Sequence, residues 1–147
     1  MSSQAAAKTD PCSSADAADL GSCGMEAFGD KNYAAAQKAW ALAAQQGDYQ
    51  AAKWLGEMYA EGKGTKNDYV QAYQWFDIAA ALHARAIARE SPAAGPTARV
   101  SNQSEIDLRN AVAKKMKAEQ ITQAQQLSHK WEKANPHAVA EDMGFAY

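Results

Sequence analysis

Few side chains in this sequence have the spacing that chemistry requires. Cys12 and Cys23 are its two cysteines. They lie eleven positions apart in a polar, proline-containing stretch. Such a pair can close a disulfide ring that stabilises a fold by about 3 kcal/mol; two buried free thiols are the alternative. Neither cysteine has an activating base beside it in sequence, so nucleophilic chemistry is not expected. Glu57 and Glu61 stand at i and i+4, which puts two carboxylates on one helix face. Paired carboxylates can divide acid and base work, although on an exposed helix they are usually solvated. His83, His129 and His137 have no partners at metal-ligand distances in sequence. The run Gly62-Lys63-Gly64-Thr65-Lys66 approaches a phosphate-binding loop, but the preceding glycine is one position off and Gly64 follows the lysine. A helix, not a strand, leads into it. The expectation is a non-enzyme with no catalytic residue, no cofactor and no metal.

The elements that carry these residues are helical. Alanine occurs 35 times in 147 residues, and alanine has the highest helix propensity while letting helices approach closely. Apolar positions Ala17, Leu20, Cys23 (or Gly24) and Phe28 recur at helical spacing from Ser14 onward. A turn at Gly29-Asp30-Lys31-Asn32 leads to a second helix, Tyr33 to Gln46, which Gly47 ends. Asp48 caps a third helix reaching Glu61. Gly62 and Gly64 break it, and Asn67-Asp68 starts a fourth helix that runs to about Arg89. Two prolines and a glycine within residues 91–103 mark a loop. Ser104 and Asp107 form a weak capping-box pattern for a fifth helix, and a sixth spans Ala118 to Ala134, stopped by Asn135-Pro136.

Two of these segments repeat each other at a spacing of 36 residues. Tyr33 corresponds to Tyr69, Ala36 to Ala72, Trp40 to Phe76, and Ala43-Ala44 to Ala79-Ala80. Self-similarity with a period of about 20–50 residues is the signature of a solenoid, whose stacked units bury a continuous core. The residues between the repeats are more specific. Ala51, Leu55, Gly56, Tyr59, Gly62, Gly64, Asp68, Ala72, Trp75, Phe76, Ala79 and Ala80 follow the order A-x3-LG-x2-Y-x2-G-x-G, then D-x3-A-x2-WF-x2-AA. On those residues the segment resembles the Sel-one-like repeat (SLR) family, relatives of the tetratricopeptide repeat with a longer loop between the two helices. Gly24, Ala27, Tyr33, Ala36, Trp40, Ala43-Ala44 and Gly47-Asp48 look like a shorter, tetratricopeptide-type unit. Lys115 to Trp131 is similar to a closing helical element of small bacterial members. The sequence departs from the family after Ala81, where Leu82-His83-Ala84-Arg85 replaces the expected glycine.

The resemblance implies an all-α fold, a short right-handed α–α solenoid of about six helices. The expected organisation is a flexible segment at 1–13, a repeat domain at 14–134 interrupted by an insertion loop at 91–103, and a tail at 135–147. It also implies that the first helix of each pair lines a concave, ligand-facing surface. In the second unit that face would carry Gln50, Lys53, Trp54, Glu57 and Glu61, and in the first unit Gly21 and Met25. Trp54 is the leading contact residue, because aromatic side chains with a polar edge are enriched in binding hot spots; packing on a neighbouring helix is its other reading. The family's cysteine-rich relatives have been credited with binding or hydrolysing β-lactams, but their cysteine pairs staple each repeat, and this chain lacks them.

Composition narrows the partner. The net charge is −2, which argues against non-specific nucleic-acid binding. The charge is uneven, with 4 basic and 8 acidic residues before Lys63, and 11 basic and 7 acidic from Lys63 to Lys133. No apolar run is long enough for a transmembrane helix. Met1-Ser2-Ser3-Gln4 lacks the basic start of a leader, while Ala5-Ala6-Ala7 stands where a cleavage remnant would lie. With the cysteine pair, this makes a periplasmic protein whose leader is absent from the sequence the favoured expectation over a cytoplasmic one. The expected role is a protein-binding adaptor or accessory subunit in a bacterial envelope. An immunity protein that neutralises a toxin or enzyme, and a structural subunit of a larger complex, are the alternatives.

Overall fold

The computed structural model describes residues 10–90 and 102–139. A single 3-10 turn, Ala17–Asp19, leads into α1 (Leu20–Gly29), followed by α2 (Tyr33–Gln45), α3 (Tyr49–Glu61) and α4 (Tyr69–Glu90). Then come α5 (Gln103–Ala113), α6 (Ala118–Ala134) and a four-residue helix α7 (Pro136–Val139). There is no strand among the described residues. The result is a short α–α solenoid: α1 packs on α2, α2 on α3 and α3 on α4, each pair joined by a short connection.

Local signals set the helix ends. The side chains of Asn32, Asp48 and Asp68 accept hydrogen bonds from the backbone N–H groups of Ala35, Ala51 and Gln71 at 3.4, 3.1 and 3.1 Å, which satisfies first-turn donors that have no partner in the helix. Gly62 closes α3 at φ +73° and donates its N–H to the Met58 carbonyl. That left-handed conformation penalises any residue with a Cβ. The Ser104–Asp107 capping pattern does not form. Helix α5 begins a residue earlier, at Gln103, with Asn102 before it. Asn102 turns its amide away to donate to the Ala80 carbonyl of α4 at 3.1 Å, and Asp107 accepts from Gln103 instead.

One packing device appears twice. In the first hairpin Gly24 of α1 faces the Trp40 indole, where an added Cβ would sit 2.5 Å from Nε1. In the second, Gly56 of α3 faces the Phe76 ring, where a Cβ would sit 2.6 Å from Cδ1. A bare backbone on the first helix thus receives a large aromatic from the second, and both aromatics are almost wholly buried. Trp40 is fixed further by donating its indole N–H to the Gly21 carbonyl at 3.1 Å. Ala36, Ala39, Ala43, Ala44, Ala51, Ala52, Leu55 and Met58 fill the space around it. A second cluster of Ala72, Tyr73, Phe76, Val112 and Ala124 joins α4 to α5 and α6.

The third helix pair departs from the regular hairpin. Helices α5 and α6 each lie along the 22-residue α4, more than on one another. Asp77 of α4 holds both: Oδ1 accepts from Arg109 of α5 at 2.8 Å, and Oδ2 accepts from the Ser128 hydroxyl of α6 at 2.6 Å. Trp75 of α4 meets Trp131 of α6 edge to face, with centroids 6.0 Å apart. His83 of α4 is stacked on Tyr49 at 3.8 Å and paired through Nδ1 with the buried Glu105 carboxylate at 3.1 Å. It ties α3, α4 and α5 together at their junction.

The packed unit exceeds the 14–134 bounds at both ends. Residues 10–13 form a turn in which Cys12 is buried and bonded to Cys23, with Cα atoms 5.7 Å apart. After Asn135, α7 buries Ala138 against α4 and α6. Residues 1–9, residues 91–101 of the expected insertion loop and residues 140–147 of the expected tail lie outside the described residues.

Candidate functional site: a two-cleft groove along the first helices

Two clefts lie in the furrows between consecutive first helices. The first, of about 240 Å³, is lined by Met25 and Phe28 of α1, Trp54, Glu57, Met58 and Glu61 of α3, Trp40 beneath and Lys63 at the loop. The second, of about 190 Å³, uses Glu57, Ala60 and Glu61 of α3, Tyr69 and Phe76 of α4, Leu108, Ala111 and Val112 of α5, and Lys115. Sharing Glu57 and Glu61, one helical turn apart, sets the clefts side by side with the outer edge of α3 as the ridge between them. The floor is aromatic. Phe28 lies 5.7 Å from Trp40, and Trp40 lies 5.2 Å from Trp54, centroid to centroid.

Helix periodicity explains the arrangement. Trp54, Glu57 and Glu61 recur at i, i+3 and i+7, so they share one stripe of α3. Leu55 turns into the core, and Met58, also buried, lies beside that stripe at the inner wall of the first cleft. Trp54 is half-buried: its ring rests on Trp40 while its edge reaches the first cleft. Packing residue and surface residue are therefore one and the same here. Met25 is 39% exposed, and of the large apolar side chains only Leu42 on α2, at 41%, matches it among the described residues.

The electrostatics centre on Glu57. Burial raises its carboxyl above the ordinary glutamate value of 4.5; Lys53 one turn earlier works against that rise, and Glu61 adds to it. No hydrogen bond or ion pair engages the Glu57 carboxylate among the described residues. Glu61 has a long contact with Lys63 at 3.9 Å, both side chains being well exposed. The two rim lysines lie over aromatic rings, Lys63 over Phe28 at 5.8 Å and Lys115 over Tyr69 at 5.5 Å.

Met25, Trp54, Glu57 and Glu61, expected on the concave face, come together in the first cleft. Lys53 flanks it and acts on Glu57 through its charge. Gln50 is exposed at the first turn of α3 and lines neither cleft, because it is a full turn too early. Gly21 is buried against Asp48 and Trp54 and is no part of the surface. Phe28, Leu108, Val112, Lys63 and Lys115 complete the clefts, and sequence reasoning did not single them out for this face. Knowing which helices are neighbours would have been needed to find them. Among the described residues there is no cluster of three or more His, Cys, Asp or Glu side chains fit to hold a metal ion. Nor is any helix among them long and apolar enough to cross a membrane.

No protein-family model matches the chain. No curated protein matches it either. Among solved structures it is similar to c5321, a protective antigen present in uropathogenic Escherichia coli strains and displaying an SLR fold. The two are 24% identical with a TM-score of 0.42, over 90% of this chain and 33% of that one. The chain thus spans about a third of that protein's length. Its own helix order and its paired glycine–aromatic contacts make the described residues a short all-α solenoid.

Proposed function

We propose that this chain is a non-catalytic protein-interaction module, an adaptor or accessory subunit, that holds a segment of a partner protein in the groove across α1, α3 and α5. The observation that carries this reading is the pair of adjoining clefts with an aromatic floor and a methionine at the rim. Such surfaces give binding energy through apolar burial, and methionine and tryptophan are favoured there because they adapt to and fill a partner's contours. In this reading Glu57 and Glu61 recognise a partner's charge and are not an acid–base pair.

The disulfide supports a place in an oxidising compartment such as the bacterial envelope, since thiols in a reducing cytoplasm are kept free. Affinity capture from native envelope extract tests the function. The intact chain and the variant Leu42→Asp should retain the same partner, whereas Met25→Asp combined with Leu108→Asp should lose it. Retention of the partner by the cleft variant would refute the groove.

A further inference from the structure

Glu57 has no hydrogen bond or ion pair among the described residues. It is half-buried on the ridge between two apolar clefts, and no cation among the described residues closes on it: Lys53 lies one turn away without an ion pair to it, and Lys63 reaches Glu61 only at 3.9 Å. Lys63 and Lys115 at its margins lie over aromatic rings, and Lys53 acts on Glu57 through its charge alone. A half-buried carboxylate gives up hydration without gaining a partner, and that cost is removed when a ligand supplies the missing donor. Apolar walls on either side would exclude water and strengthen the pairing.

We propose that the groove selects a partner segment in which one arginine or lysine stands between two apolar residues, the cation directed at Glu57 and Glu61 and the apolar side chains seated in the two clefts. This rests on the groove being the binding surface and adds the chemistry it recognises. The first cleft, walled by Met25, Phe28 and Trp54, takes the larger apolar side chain. The second, walled by Leu108 and Val112, takes the smaller. Lys63 and Lys115 at the rim disfavour segments with several adjacent cations, so the recognised charge is single and flanked.

A random peptide library displayed against the disulfide-intact full chain tests this. Enriched sequences should carry apolar–basic–apolar patterns. A selected peptide should bind Glu57→Gln/Glu61→Gln about tenfold more weakly than wild type, the loss expected for one charge-assisted hydrogen bond. The same peptide should lose binding to Met25→Asp. Enriched peptides that depend on Met25 but show no preference for a basic residue would overturn the charge assignment and leave the groove standing. Enriched peptides indifferent to Met25→Asp and Leu108→Asp would overturn the groove itself. A concentration-dependent dimer, seen by sedimentation and abolished by Met25→Asp, would replace the partner segment with a second copy of this chain.

Discussion

Gly56→Ala should destabilise the protein even though alanine is the better helix former. An added Cβ would lie 2.6 Å from both Cδ1 and Cε1 of Phe76 and 3.0 Å from Cζ. Ordinary carbon contacts sit at about 3.5–4.0 Å, so ring and methyl must separate by about 1 Å. Phe76 is 1% exposed; although its edge borders the second cleft, moving the ring means shifting packed neighbours. Overpacking of this kind costs about 1–3 kcal/mol, against a propensity gain of about 1 kcal/mol. The expected net loss is up to about 2 kcal/mol. Chemical denaturation followed by helical circular dichroism reads it as a lower midpoint at unchanged slope. Gly29→Ala is the control. That position ends α1, would place its new methyl with nothing within 4 Å, and has no positive φ. The same substitution there should be neutral or stabilising by up to about 1 kcal/mol. Adding Phe76→Leu to Gly56→Ala should recover part of the loss, because a smaller, flexible side chain can yield to the methyl. Stabilisation by Gly56→Ala alone would refute the close helix contact on which the hairpin geometry depends.

Other perturbations have defined outcomes. Glu57→Gln should raise the melting temperature at pH 7, since the folded state holds this carboxyl's pKa above its ordinary value and so disfavours the charge. The sign follows from linkage: the penalty is full above the raised folded value and vanishes below about 4.5, so the advantage of the variant should shrink to nothing in acid. An advantage that grew as pH fell would contradict the burial of Glu57. Asp77→Ala removes the acceptor for Arg109 and Ser128 together; it should cost about 1–3 kcal/mol and raise hydrogen exchange in α5 and α6 before α1 and α2. Trp54→Ala should lower stability by about 1–2 kcal/mol, less than the 3–5 kcal/mol of a fully buried aromatic, because only one side of the ring packs on Trp40. Reduction of Cys12–Cys23 should lower stability by about 3 kcal/mol without unfolding α5 and α6, as judged by exchange protection.

Much of the fold was legible because its signals are local. Asp48, Asp68 and Gly62 fix helix ends within a few residues, and the 36-residue echo from Trp40 to Phe76 announces stacked hairpins. The equivalence of Gly24 and Gly56 was harder to see, since they are 32 residues apart while their aromatic partners are 36 apart. The difference is the longer loop of the second unit, which shifts the register between helices. The capping pattern at Ser104 misled for a tertiary reason: Asn102 is drawn to the Ala80 carbonyl, and the helix starts earlier. Half the groove could be named from α3 alone, because periodicity puts Trp54, Glu57 and Glu61 on one stripe. Leu108 and Lys115 belong to it only because α5 docks beside α3 on the support of α4, a placement made by Asp77 and the buried His83–Glu105 pair. None of those contacts has a sequence signature.

The groove is tested most directly by a photo-crosslinking amino acid placed at one position at a time in the intact protein in its native cells. Incorporation at Met25 or Leu108, on the two cleft walls, should trap the same partner. Incorporation at Leu42, equally exposed but outside both clefts, should trap none. A partner caught from Leu42 and missed from both cleft positions would put the interaction on another face and contradict the account.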